Sequence, residues 1–359
     1  MAKKMTPKER VITILDHKEA DRVPRFVSFT PEFKTKIKNY LKLGENKDHE
    51  LDFRLGIDIK PTLQGFTKSY YKYLDRSSYT DEWGIGWRTI GYKTKYGIGK
   101  YTETYQNPLS DDYAISIYNA PDPMIESRYE LSKRLIREHG KEYAIMGVIA
   151  CTIFETAWAL RGLDKLMLDF ITNEELANKI LDIPFRYHLN AGKKLASLGV
   201  DIIWTGDDVG GQNGMLISPK FWRKYLKPKM VKLFSELKKI NPDLKIVYHS
   251  DGNIYPIIDE LVEIGLDILN PVQPKCMDPY YLKKRYGNNL SFWGTIDIQE
   301  TLPFGTEEDV ENEVKERIKE MAPGGGFIIS PTHHVQIDTS VRNFMALISA
   351  SEEYGKYAK

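Results

Sequence analysis

Cysteine is nearly absent: Cys151 and Cys276 are the only two in 359 residues. So few thiols argue against a disulfide framework and suit a reducing cytoplasm, the expected location. An excess of either charge is missing too, the formal net charge being +1. Lysines sit along helices with Glu and Asp between them, so no nucleic-acid surface is expected. No long uncharged apolar run occurs, and hence no membrane span. The start, MAKKMTPKERVITIL, opens with lysines as a secretory leader does, but Glu9, Arg10 and Asp16 interrupt any apolar stretch. No Gly-x-Gly-x-x-Gly follows the first strand, which removes support for a dinucleotide fold, and neither Cys-x-x-Cys nor His-Glu-x-x-His is present. What remains is ordinary: 42% hydrophobic and 28% charged residues provide a substantial core in one barrel-sized domain or two medium ones.

The order of elements favours one barrel. Thr6-Pro7 with Glu9 starts a helix whose apolar stripe is Val11, Ile14 and Leu15. Phe26–Phe29 reads as a first strand, residues 31–60 as helical, and Gly56–Ile59 as extended. Residues 80–103 are dense in Gly, Trp, Tyr and Thr and read as antiparallel hairpins, within an insertion at about 80–120. From Tyr143, strands at Ala144–Ala150, Asp201–Thr205, Ile246–His249, Asp267–Pro271, Ser291–Gly294 and Gly326–Ser330 alternate with helices. Those helices run over Phe154–Ile171, Asn173–Leu198, Pro219–Lys239, Ile254–Ile264, Pro279–Tyr286, Glu307–Met321 and from Val341. Alternation of this kind implies parallel strands with crossover helices, and the two earlier strands bring the set to the number that closes a barrel. The expectation is a single α/β domain over residues 1–359, a (β/α)8 TIM barrel with an antiparallel β-hairpin insertion in its N-terminal part.

In such a barrel, functional side chains belong at the C-terminal ends of strands. Polar residues gather there. His249 and Asp251 end the buried strand of Lys245–Gly252 and, two apart, point the same way. The plain alternative is a strand-end Asp capping the next helix with a His bonded to it. Asp207-Asp208, Gln273, Asp297 and Thr332-His333-His334 follow the other strands. His249, Asp251 and His333 make a two-His-one-carboxylate set, with Asp207 or Glu155 as a fourth partner, suited to zinc or another first-row metal with one position open. A hydrogen-bonded acid/base cluster without metal, including Asp207, is the alternative, and His334 could stand in for His333. Phe154, Trp158, Trp204, Tyr248, Trp293 and Phe304 either wall an apolar pocket or fill the core. Of these, Phe154, Trp204 and Tyr248 join Gln273 and Asp297 as substrate-binding candidates. Cys276 could offer a thiolate ligand, but as a loop cysteine without a nearby partner it reads rather as inert.

Several stretches, MTPKERVITILDHKEADRVP, DEWGIGWR, TGDDVGGQNGMLISPKFWRKYLKP, HSDGNIYPIIDELVEIGLDILNPVQ, WGTIDIQETLPFGT and PGGGFIISPTHHVQIDT, resemble the uroporphyrinogen decarboxylase-like superfamily across nearly the full chain. The resemblance implies the same (β/α)8 barrel. The decarboxylases themselves carry an Arg-Gln-Ala-Gly-Arg-Tyr motif, whereas this chain reads Asp21-Arg22-Val23-Pro24-Arg25-Phe26. It is more similar to the corrinoid-dependent methyltransferase branch, which implies a separate corrinoid-binding protein as partner, carrying a cobamide. In that branch's coenzyme M members zinc is held by a His-x-Cys pair and a distant Cys. Here the matching positions read His249-Ser250-Asp251 and Pro331-Thr332-His333. Oxygen and nitrogen donors make a harder Lewis acid than thiolates do. The expectation is therefore an O-demethylase that takes methyl from a small methoxylated aromatic compound, with methyl transfer to a pterin or thiol, or a non-catalytic binding role, as alternatives. A homodimer is left open.

Overall fold

The computed structural model describes residues 5–65, 72–73 and 77–357; Lys3 and Lys4, weighed above as the start of a leader, lie outside them. Seven strands follow one another in parallel: β1 (Ile59–Leu63), β2 (Ala144–Val148), β3 (Ile202–Gly206), β4 (Lys245–His249), β5 (Ile268–Asn270), β6 (Ser291–Ile296) and β7 (Phe327–Pro331). Each neighbours the next in sequence, with helices crossing outside. β6 and β7 are buried at every residue, and β4 buries Ile246, Val247 and Tyr248. Burial on both faces is why these strands read as continuous apolar runs rather than as alternation.

The eighth position of the ring is an irregular stave, residues 24–29, between β7 and β1. Phe26 N donates to Ile329 O at 3.1 Å and Ile329 N to Pro24 O at 3.0 Å, while on the other side Asp58 N donates to Arg25 O at 3.0 Å. This is the first strand expected from the sequence. It makes bridges at Arg25 and Phe29 rather than a ladder, and Pro24 has no N–H to offer one. Below the stave the fully buried Asp58 carboxylate takes the guanidinium groups of Arg10 and Arg22, and the amide of Arg25 at 2.8 Å. A buried carboxylate held from three sides fixes the start of the stave.

Several helices are shorter than their apolar stripes suggest. Gly162, at φ 96°, divides the expected Phe154–Ile171 helix into Phe154–Arg161 and Leu163–Thr172. Residues 31–60 hold two helices, Pro31–Tyr40 and Asp48–Leu55. The helix after β3 begins at Pro219–Phe221, passes through a π turn at Trp222–Leu226 and continues as Lys227–Ile240. Pro228 has no N–H to return to the carbonyl four residues earlier, which accounts for a wider turn there. Among the described residues no helix is long and apolar enough to cross a membrane.

The insertion between β1 and β2 is a four-stranded antiparallel sheet of Lys72–Tyr73, Ser78–Thr80, Gly86–Thr94 and Gly97–Gln106. It starts earlier than the sequence suggested. Its long hairpin turns at Lys95-Tyr96, and the tip reaches back over the barrel to the loop that follows β7.

Candidate functional site

At the C-terminal mouth, β4 ends in His249, the turn after it carries Asp251, and the loop after β7 carries His333. One potential ligand atom from each lies within 4.8 Å of the others. The Gly-rich neighbourhood makes this approach possible. Gly252, at φ 79°, packs so tightly that an added Cβ would stand 2.5 Å from the Gly210 carbonyl carbon, so the two loops touch backbone to backbone.

His249 is oriented from behind. Its Nδ1 is bonded to Asn270 Oδ1, and Asn270 Nδ2 donates to Trp293 O at 2.8 Å. Because the amide nitrogen already faces a carbonyl, the oxygen must face the ring, so Nδ1 is the donor and Nε2 is turned to the mouth. Nε2 then lies 3.9 Å from Asp251 Oδ1 and 3.7 Å from Asp208 Oδ1. Asp251 Oδ1 is buried without a hydrogen-bond donor among the described residues. A buried acceptor without a donor, beside imidazole nitrogens with a second-sphere amide in place, fits the ligand set of a cation. Burial pushes Asp251 up to about 6, against the pull of His249, and lowers His333. Both shifts disfavour the charged forms that a bound cation would favour or replace.

The two adjacent acids part company. Asp207 is fully buried and its carboxylate accepts the amides of Ile153 at 3.0 Å and Glu155 at 2.9 Å, which caps the start of Phe154–Arg161. Burial pushes it up to about 7. Asp208 fronts the triad instead and accepts the amide of Asp251 at 2.8 Å. Glu155 accepts the amide of Asp208 at 3.2 Å. Burial first, then Asp208 and Asp207, push it up to about 8, so it holds a proton at neutral pH.

Of the substrate-binding candidates, Trp204 lies against the triad, stacked on His249 at 5.5 Å and 29° with Trp293 edge-on behind it. Tyr248, one residue from His249, faces the opposite side of the strand, and its hydroxyl donates to Asp207 O at 3.3 Å. Phe154 is also fully buried, stacked on Phe170. The structure thus places Tyr248 and Phe154 in the layer between sheet and helices rather than at the mouth. Gln273 accepts the Gly252 amide at 2.6 Å, and Asp297 accepts the Gln299 amide at 2.8 Å within its own loop. Gln273 thus ties two loops together, and Asp297 braces its own. Cys276 lies outside the converging group, its thiol pushed up by burial. His334 is exposed, its ring edge-on to His333 at 4.8 Å. Asn270 was not singled out by sequence reasoning, although a polar residue ending a buried strand was the available signal; Asp208 was read only together with Asp207, as a cap or a metal contact, and the structure divides those two roles between them.

The family model for uroporphyrinogen decarboxylase matches residues 88–354. The methylated-thiol–coenzyme M methyltransferase of Methanosarcina mazei is 24% identical over 204 residues, covering 56% of this chain and 51% of that protein. The methylcobamide:CoM methyltransferase MtaA of Methanosarcina barkeri is 24% identical over 184 residues, 51% of each. The chain thus spans about half the length of these curated relatives. A methyltransferase structure from Methanosarcina mazei superposes with a TM-score of 0.71 at 19% identity, covering 98% of this chain and 99% of that one, so the two share a fold.

Proposed function

This chain belongs to the uroporphyrinogen decarboxylase family, and from that premise we propose that it is a methyltransferase taking methyl from a methoxylated aromatic compound to the cob(I)amide of a separate corrinoid protein. The observation that carries the proposal is the convergence of His249, Asp251 and His333 within 4.8 Å. Methyl transfer is supported by the names of the two Methanosarcina relatives. Oxygen as the leaving atom is supported by the donor set: two imidazoles and a carboxylate, with no thiolate among them.

His249, Asp251 and His333 would hold a zinc ion, and such an ion supplies Lewis acidity toward the oxygen from which methyl departs. The chain's own residues supply the rest. Asn270 holds His249 in the tautomer that presents Nε2 to the mouth. Trp204, stacked on that ring, offers a flat apolar wall for an aromatic substrate. Asp208 holds the Asp251 backbone by its amide. In the transfer the O–CH3 bond breaks, the methyl passes to the partner's corrinoid, and the phenolate keeps the bonding electrons and is later protonated. Glu155, protonated at neutral pH, is a proton reserve one residue contact behind the triad.

A second reading, methyl transfer from a cobamide to a thiol, is favoured by the relatives' printed activities. Porphyrinogen decarboxylation is disfavoured by the missing Arg-Gln-Ala-Gly-Arg-Tyr motif. The test is a methyl-transfer assay with reduced corrinoid protein and a panel of methoxybenzoates, methylated amines, alcohols and thiols, with metal analysis of the same preparation. Demethylation of methoxybenzoates with about one zinc per chain is expected. Turnover confined to thiols would replace the first reading with the second.

A further inference from the structure

His249 and His333 are held in place by different means. The ring of His249 is fixed directly, by the bond to Asn270. No described residue makes a hydrogen bond to the ring of His333, so its position depends on its backbone and on ring contacts with His249 at 6.2 Å and His334 at 4.8 Å. That backbone is tied at three places. Before His333, Thr332 N donates to Ile296 O at 2.9 Å; after it, Val335 N donates to Ser28 O at 2.9 Å, and Thr30 N donates to Val335 O at 3.0 Å. The third tie comes from the insertion. Tyr92 OH donates to Gln336 Oε1, Thr94 Oγ1 reaches Ile337 O at 3.5 Å, and Gly97 lies so close that a Cβ there would stand 3.1 Å from Ile337 Cγ1. The hairpin tip is itself anchored to the barrel, Lys36 Nζ donating to Tyr96 O at 3.4 Å.

We infer that the inserted hairpin is a strap that sets the position of His333, with Tyr92 and Gln336 as positioning residues for the triad. The inference rests on the metal-holding reading of His249, Asp251 and His333. An imidazole without a hydrogen-bond partner of its own depends on its loop to keep it aligned, and the insertion supplies a second clamp on that loop, one residue beyond the barrel's tie at Val335. Contacts that orient ligands set metal affinity, and a tie on the ligand's own loop acts one step further out. Here the orienting contact comes from another part of the chain, 244 residues away in sequence.

The test compares the wild-type protein with Tyr92→Phe and Gln336→Leu, and with Tyr105→Phe as a control on the same hairpin. Zinc affinity is measured by chelator competition, the visible spectrum with cobalt(II) in place of zinc, and amide exchange over residues 335–337. Tyr92→Phe and Gln336→Leu should each weaken zinc binding about tenfold, alter the cobalt spectrum and speed exchange, with thermal midpoints within a few degrees of wild type. Tyr105→Phe should change none of these. Zinc binding by wild type and Tyr92→Phe with equal affinity and equal spectra would overturn the strap. Absence of zinc binding by the wild type would overturn the metal reading instead. In that case unchanged exchange at 335–337 in Tyr92→Phe still refutes the strap, and faster exchange supports it as a clamp on the loop.

Discussion

Replacing Asn270 by Ala separates the site's orientation from its ligands, because Asn270 touches the triad only through His249. Asn270 is 4% exposed and makes two bonds at once, to His249 Nδ1 and, at 2.8 Å, to Trp293 O. Removing it strands a carbonyl inside the barrel, at a cost to the fold of about 1–3 kcal/mol. His249 is half-buried and can turn toward water, so its loss falls on binding instead. Loss of a second-sphere partner weakens metal affinity about 10–100-fold, equivalent to about 1.4–2.7 kcal/mol. Asn270→Asp separates the two effects. It keeps an acceptor for the Nδ1 proton and should bind zinc at least as well as wild type, while the carboxylate facing Trp293 O still costs stability. Chelator competition near neutral pH gives the affinity, and urea unfolding of the metal-free protein gives the fold term. If Asn270→Ala binds zinc within about twofold of wild type, the orienting role assigned to Asn270 is wrong.

Three other outcomes follow from the same geometry. His249→Ala or His333→Ala should lose both retained zinc and methyl transfer, whereas His334→Ala, whose ring is exposed outside the 4.8 Å group and only packs against His333, should retain zinc and activity, reduced at most modestly; equal loss in all three would refute the choice of His333. Glu155 has its pKa raised from 4.5 to about 8 on folding, so its neutral form stabilises the fold fully below about 4.5 and that contribution is lost as pH rises through about 8. Glu155→Gln should therefore flatten the fall in urea-unfolding stability from mildly acidic to mildly alkaline pH, leaving the parts due to Asp207, which ends near 7, and Asp251, which ends near 6; an unchanged slope would count against a buried, protonated Glu155. Asp58→Asn removes the carboxylate shared by Arg10 and Arg22 and should cost about 3–5 kcal/mol in unfolding free energy; a loss under about 1 kcal/mol would show that the pairing contributes little.

Much of the barrel was legible because its signals are local. Pro279–Tyr286 and Glu307–Met321 are helices with the expected bounds, each with its own cap. The breaks were less legible. Gly162 lies within a continuous apolar stripe, and only its positive φ divides the helix. The stave at residues 24–29 reads as a strand from its side chains, but its hydrogen bonds depend on partners far along the chain. At the mouth, strand alternation was enough to put Tyr248 on the far side from His249 and could have excluded it. Whether Asp207 or Asp208 faces the triad depends on a turn, where no fixed period applies, and there the sequence is silent.

The seam that closes the ring joins residues far apart in the chain; Thr30 and Val335, bonded across it, are separated by 305 positions. Joining such distant segments carries a loop-closure cost that pairing of strands adjacent in the chain avoids, which slows folding. Until they are joined β1 and β7 are open edges, vulnerable to pairing with other chains. His333 lies in the loop just beyond β7, and the seam's bonds at Val335 hold that loop in place. Metal loading would then report on completed closure, and a chain that misfolds at the seam should fail to take up zinc even with every ligand residue present.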